Sequence, residues 1–146
     1  VSIEMFEAVG ERWWPTSFRT VGPALKPGGR AVIQSITIRD DLFAEYRKGT
    51  DFIQQYVFPG GMLPSPKVFR QTANRHGLTV IDAHAFGASY ARTLATWRQA
   101  FESRWPEIAA QGFGEDFRRL WRMYLSYCEA GFRAGSTDVV QFELAG

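Results

Sequence analysis

Two carboxylates stand close together at the start of the chain, Glu4 and Glu7 in Ser2-Ile3-Glu4-Met5-Phe6-Glu7. Val1-Ser2-Ile3 reads as the tail of a strand, and open α/β sheets present ligands beyond the carboxyl ends of their strands. An acid there can hold a polar ligand or a proton. It can equally be a favourable charge ahead of a helix. Gln34 interrupts the apolar run Ala31-Val32-Ile33-Gln34-Ser35-Ile36. Its amide donates and accepts hydrogen bonds without changing charge, either toward a ligand or as a satisfied interior group. Tyr90 follows Phe86-Gly87 at a strand-to-helix turn on the same expected edge. It offers either a hydroxyl to a ligand or a core ring with a wet end. His76 and His84 are farther apart than a local metal motif, and Cys128 falls on an apolar stripe as a small buried thiol. No metal site is expected. Phosphate-loop, dinucleotide, zinc and nucleophile-elbow signatures are all absent.

These residues are placed by alternating strands and helices. Trp14, Phe18, Val21 and Leu25 recur at helical spacing within Trp13 to Leu25, Pro15 fits the first turn, and Lys26-Pro27-Gly28-Gly29 supplies the stop. The β-branched run Arg30 to Ile38 predicts a buried parallel strand, which completes a βαβ crossover with the opening strand. Asp40 to Gly49 reads as a charged connection, Phe52 to Phe58 as an aromatic stretch and Pro59 to Pro66 as a loop, together an insertion between core elements. Ser65 as N-cap and Pro66 as first residue predict a helix to about His76, stopped by Gly77 and followed by a strand over Leu78 to Phe86. Two longer helices are predicted to bury stripes, one through Leu94, Trp97, Phe101 and Trp105, the other through Phe117, Leu120, Trp121, Tyr124, Leu125 and Cys128. Val140, Phe142 and Leu144 alternate with polar neighbours, as in a half-buried terminal strand over Asp138 to Leu144.

With 146 residues, 45% hydrophobic and 22% charged, the chain is long enough for one core or part of one, and general disorder is excluded. No apolar run reaches the length of a membrane helix and no signal-peptide pattern opens the chain, so a soluble, cytoplasmic protein is expected. The single cysteine excludes an internal disulfide and a cysteine zinc cluster. A net charge of +2 argues against a nucleic-acid partner. Arg118, Arg119 and Arg122 read either as a phosphate-facing patch or as a solvated helix face. Aromatics at 15% imply an unusually aromatic core or a cavity for an apolar ligand.

Several segments resemble the cyclopropane-fatty-acyl-phospholipid synthase family. They are Ser2-Ile3-Glu4-Met5-Phe6-Glu7-Ala8-Val9-Gly10, Leu25-Lys26-Pro27-Gly28-Gly29, Phe58-Pro59-Gly60-Gly61-Met62-Leu63-Pro64-Ser65 and Phe86-Gly87-Ala88-Ser89-Tyr90-Ala91-Arg92-Thr93-Leu94, with Trp97 and Tyr127-Cys128-Glu129-Ala130-Gly131-Phe132-Arg133 beyond them. The resemblance covers essentially the whole chain. Its Leu-Lys-Pro-Gly-Gly turn is common to many class I methyltransferases, whereas the Phe-Pro-Gly-Gly-x-Leu-Pro-Ser loop is much more particular to this family.

The resemblance implies an α/β fold: the carboxyl-terminal half of a Rossmann-like class I S-adenosylmethionine (SAM) methyltransferase sheet with helical insertions. Residues 1–146 would be the later part of one catalytic domain, with the SAM-binding amino-terminal part absent. The implied activity is methyl transfer from SAM to the cis double bond of an unsaturated phospholipid acyl chain, at the inner face of the membrane. Proton loss from the resulting carbocation, to a bound bicarbonate, closes the cyclopropane ring. By position, the resemblance assigns catalytic roles to Glu7 and Tyr90 and anion binding to Glu7, Gln34, Ile36 and Tyr90. It assigns no cofactor-binding residue in this chain. Many family members have histidine where Gln34 stands, while others, plant-type synthases among them, carry glutamine. A branched methyl or methylene product therefore stays open, as does a noncatalytic lipid-binding or assembly module. The isolated chain is expected to be inactive, to bind SAM weakly, and to form homo-oligomers through an uncovered strand edge.

Overall fold

The computed structural model describes all 146 residues, in two compact units: Val1–Phe86 with Thr137–Gly146, and Gly87–Ser136. In the first unit, β1 (Ser2–Ile3), β2 (Arg30–Ile38), β3 (Thr79–Ala85) and β4 (Thr137–Ala145) form one sheet in the order β1-β2-β4-β3. β1 pairs in parallel with β2, Ile3 opposite Gln34, and the chain between them forms a 3-10 turn at Glu11–Trp13 and helix α1 (Trp14–Ala24). The expected crossover is present. The expectation of a parallel environment for β2 holds on that side only, because β4 enters between β2 and β3 antiparallel to both. The chain leaves β3 and returns to β4 at the same end of the sheet, where the Phe86 N–H donates to the Val139 carbonyl at 2.9 Å, so the last strand must run backward. β4 is also more deeply buried than its alternation implied. Val139, opposite Ile36 inside the sheet, is 0% exposed, in company with Val140, Phe142 and Leu144.

The stretch expected to be only a charged connection contains α2 (Phe43–Tyr46), drawn in because Phe43 joins the core. The aromatic stretch forms α3 (Phe52–Tyr56), started by a capping box between Asp51 and Gln54. Helix α4 (Pro66–Arg75) begins where Ser65 and Pro66 predict, with the Ser65 hydroxyl accepting from the Val68 N–H at 3.3 Å. Gly77, at φ 77, ends it in a conformation that suits glycine.

Aromatic rings fill the space between the helices and the sheet. Phe6 lies 5.4 Å from Trp14, 5.2 Å from Phe18 and 4.9 Å from Phe69, and Phe69 stacks on Phe142 at 4.0 Å. Each buried ring contributes about 1.5–3 kcal/mol by leaving water, and close ring pairs add about 0.5–1.5 kcal/mol. In this unit, part of the aromatic surplus is core.

The second unit is a helical hairpin: α5 (Gly87–Ser103) packs on α7 (Glu115–Arg133), with α6 (Trp105–Ala109) between them in sequence. One flank is ionic. Glu129 takes Arg98 at 2.9 Å and Arg133 at 2.7 Å, while Glu102 takes Arg118 at 2.7 Å and Arg122 at 2.8 Å. Rings line another flank through Phe101, Phe117, Trp121 and Tyr124. The predicted α5 stripe fails at one residue and breaks before another: Trp105 is buried, its ring 5.7 Å from Phe101, but it opens the separate α6, because Pro106 lacks the N–H that a continuing helix needs. Trp97 is 57% exposed, off the line of Leu94 and Arg98 that meets α7. The arginine trio is ion-paired rather than collected for phosphate: Arg118 and Arg122 meet Glu102, and Arg119 meets Asp116. Cys128 is half-buried and forms no disulfide. No group of three His, Cys, Asp or Glu side chains is placed to hold a metal, and no helix is long and apolar enough to cross a membrane.

Candidate functional site

β1 stops at Ile3 because Glu4 turns into the left-handed region at φ 51, a conformation uncommon for a residue with a Cβ and worth a functional question. The Glu4 N–H donates to the Gln34 carbonyl at 2.9 Å, so the turn stays tied to β2. Three residues later, Glu7 is fixed from both sides. The buried Phe6 ring anchors the segment in the aromatic core, and the Trp14 indole N–H donates to the Phe6 carbonyl at 3.2 Å. On the far side, the Met62 N–H donates to the Glu7 carbonyl at 2.9 Å.

Met62 belongs to the Phe58–Ser65 loop, and through this bond the loop clamps the backbone of Glu7. The clamp requires a glycine. Gly10 has φ 76, and a Cβ there would stand 2.8 Å from the Gly60 carbonyl oxygen. An alanine would be strained by its backbone and by this contact together.

The Glu7 carboxylate reaches across to β2. Its Oε1 accepts from the Ile36 N–H at 2.8 Å, and its Oε2 from the Ser35 hydroxyl at 3.0 Å. Burial pushes the Glu7 carboxyl above the ordinary glutamate range; the Ile36 and Ser35 hydrogen bonds oppose this, and the neighbouring Glu4 charge adds to it. The alternative of a charge at a helix start does not apply, since the first helical turn begins only at Glu11 and the carboxylate of Glu7 is turned to a strand.

Gln34, 7% exposed, donates its Nε2 to Glu4 Oε1 at 2.8 Å and accepts at Oε1 from Gln141 Nε2 at 2.9 Å. Strand register puts Gln141 directly between Gln34 on β2 and His84 on β3. The structure thus brings Glu7, Ile36, Gln34 and Glu4 to one end of the β1–β2 pair. Tyr90 lies in the second unit, half-buried in α5, with its ring 5.6 Å from Phe132. A separate 320 Å³ cleft, lined by Glu11, Trp14, Phe43, Arg47 and Arg75 among others, includes none of these residues.

Sequence reasoning missed Ser35 and Gln141. Ser35 carried a weak signal as a second polar residue beside Gln34 in an apolar strand. Gln141 carried none until register was known. Chemically, the cluster offers a carboxyl able to exchange a proton closer to neutrality than an ordinary glutamate, two donors facing it, and an amide fixed at both ends. Such a set suits anion binding or proton transfer.

Comparison with known proteins gives this geometry a context. The model of the family described as mycolic acid cyclopropane synthetase matches residues 1–142. The tuberculostearic acid methyltransferase UfaA1 of Mycobacterium tuberculosis is 43% identical over 145 residues, covering 99% of this chain and 34% of that protein. The cyclopropane-fatty-acyl-phospholipid synthase of Escherichia coli is 38% identical over 142 residues, covering 97% of this chain and 35% of that protein. The chain therefore spans about a third of the length of these curated relatives. Among solved structures, mycolic acid cyclopropane synthase CmaA1 complexed with SAH and CTAB superposes with a TM-score of 0.87 at 28% identity, covering 98% of this chain and 53% of that one. Cyclopropane synthase MmaA2 from Mycobacterium tuberculosis gives a TM-score of 0.86 at 28% identity, covering 99% and 54%. The fold corresponds to about half of a class I SAM-dependent methyltransferase.

Proposed function

The chain belongs to the mycolic acid cyclopropane synthetase family, and from that premise we propose that the enzyme carrying it methylates the cis double bond of an unsaturated phospholipid acyl chain and closes a cyclopropane ring there. The observation that carries this reading is Glu7: a carboxyl raised by burial, held by Ile36 and Ser35, and clamped by the loop most particular to the family. SAM, the cofactor of this reading, supplies an electrophilic methyl group when bound. The residues of this chain act at the proton that must then leave.

The cluster's chemistry fits a bicarbonate at this place. The Ile36 N–H and Ser35 hydroxyl, now donated to Glu7, are the donors such an anion would take over. Burial raises the Glu7 carboxyl, so it takes up a proton more readily than an ordinary glutamate and repels a second anion less. Gln34 holds its orientation but cannot relay a proton as an imidazole can. For Tyr90, the family likeness alone assigns the role of a further hydroxyl donor. The ring-bearing flank of the hairpin offers an apolar surface for the acyl chain.

A second reading, a methyl- or methylene-branched product, is favoured by glutamine at position 34 and by the likeness to a tuberculostearic acid methyltransferase. Work at the inner membrane surface from the cytoplasm, and insufficiency of the isolated chain for catalysis, complete the proposal. The test is transfer of labelled methyl from SAM by the enzyme that carries this chain, with unsaturated phospholipid vesicles, saturated vesicles and small soluble acceptors as alternatives. Label in the unsaturated lipid alone is expected. Label in the soluble acceptors would overturn the reading, and cyclopropane against branched product in the recovered acyl chain separates the two outcomes.

A further inference from the structure

We infer that Gln54 is a positioning residue for Glu7: its side-chain amide grips the peptide unit that fixes the Glu7 backbone. That unit joins Gly61 to Met62. Its carbonyl, on Gly61, accepts from Gln54 Nε2 at 2.9 Å, and its N–H, on Met62, donates to the Glu7 carbonyl at 2.9 Å. The two groups lie in one plane and point opposite ways, so holding the carbonyl aims the N–H. The loop beyond is tied in the same manner. The Leu63 N–H donates to the Tyr46 hydroxyl at 3.3 Å, and the Pro64 carbonyl accepts from the Ile38 N–H at 3.0 Å. Helices α2 and α3, inserted between β2 and α4, thereby supply two of the ties, through Tyr46 and Gln54. The inference rests on the catalytic reading of Glu7.

The Gln54 amide has one workable orientation. Its Oε1 accepts from the Asp51 backbone N–H at 2.9 Å, and its Nε2 reaches the Gly61 carbonyl and, at 3.6 Å, the weakly accepting Met62 sulfur. A backbone N–H only donates and a backbone carbonyl only accepts, so turning the amide over would lose both backbone bonds. One end closes the capping box that starts α3, and the other holds the loop. Capping chemistry separates these two roles. Glutamate serves at this place in a capping box as glutamine does. Gln54→Glu therefore keeps the bond from Asp51 but turns an acceptor on the Gly61 carbonyl. Gln55→Glu adds the same charge to α3 from an exposed side chain and leaves the amide in place.

The experiment uses the enzyme that carries this chain. It follows hydrogen exchange in peptides covering Gly61–Leu63 with α4 as reference, turnover per folded enzyme on unsaturated phospholipid vesicles, KM for SAM, and melting. In Gln54→Glu, exchange at Gly61–Leu63 is expected to quicken about tenfold relative to α4 and turnover to fall about tenfold, the size of one lost hydrogen bond, with KM for SAM unchanged. Gln54→Met, which removes the donor without adding charge, should do the same and melt lower through the lost cap. Gln55→Glu should match wild type. A role confined to capping predicts that Gln54→Glu behaves as wild type, and unchanged exchange in that variant overturns the inference whatever the turnover. So does Gln55→Glu behaving like Gln54→Glu, since charge alone would then account for the effect. Quickened exchange with unchanged turnover upholds the grip on the loop and overturns the catalytic reading of Glu7.

Discussion

Replacing Glu7 with Gln should lower turnover and change how stability depends on pH. The substitution keeps the shape and leaves an oxygen for the Ile36 N–H, now at 2.8 Å from the carboxylate, but removes the charge and disturbs the 3.0 Å bond from Ser35. Losing one charge-assisted contact typically costs about 1.5–3 kcal/mol. If that contact acts at the proton-loss step, turnover falls roughly tenfold or more, at about 1.36 kcal/mol per factor of ten. Cofactor affinity should stay nearly unchanged. For stability the sign follows from the raised Glu7 carboxyl. The folded state binds this proton more tightly than the unfolded state, so the wild-type protein loses stability as pH rises from the ordinary glutamate range through the higher folded value. Glutamine does not titrate. The melting temperature of Glu7→Gln relative to wild type should therefore climb through that window and level off above it. The assay combines product formation on unsaturated phospholipid vesicles, cofactor titration and thermal unfolding across pH. Unchanged turnover per folded enzyme would remove Glu7 from the catalytic set, and a stability difference that is flat or falls with rising pH would refute the argument from burial.

The loop clamp predicts that Gly10→Ala, forced against the Gly60 carbonyl at φ 76, destabilises by about 1–3 kcal/mol and also lowers turnover, whereas Gly28→Ala, at φ 72 in open space, affects melting without touching catalysis. Calorimetry and kinetics on both variants check this, and equal kinetic effects would count against the clamp. Arg133 and Arg98 hold the Glu129 carboxyl below its ordinary range, so Glu129→Gln should melt lower than wild type at neutral pH. That gap should close as pH falls below the ordinary glutamate range through the lower folded value, and a gap independent of pH would show that the ion pairs contribute nothing. The isolated chain should self-associate in light scattering as concentration rises, since β1 is an edge strand and Ile3 and Met5 are 61% and 64% exposed. A strict monomer at high concentration would contradict it.

Local signals carried most of the first unit. The Ser65-Pro66 start, the Gly77 stop and the β1–α1–β2 crossover were legible because capping chemistry and hydrophobic period act over a few residues. The direction of β4 was not legible, since pairing between residues about a hundred positions apart is decided by the route of the intervening hairpin rather than by alternation. The same limit hid part of the site. Glu7 and Gln34 stood out by position and type, and the structure joins them through Glu4, Ser35 and Ile36. Gln141 became visible only through register. Trp97 misled because helical spacing marks a stripe without saying what covers it.

The most direct test of the central claim is the isotope effect from methyl-deuterated SAM, measured in the wild-type enzyme and in Glu7→Gln. If the Glu7 cluster serves the loss of a proton from the transferred methyl group, the variant makes that step slower and more nearly rate-limiting, and deuteration should slow Glu7→Gln more than it slows wild type. An isotope effect that is the same in both enzymes, with turnover reduced equally for light and heavy methyl, would place the role of Glu7 elsewhere and contradict the account.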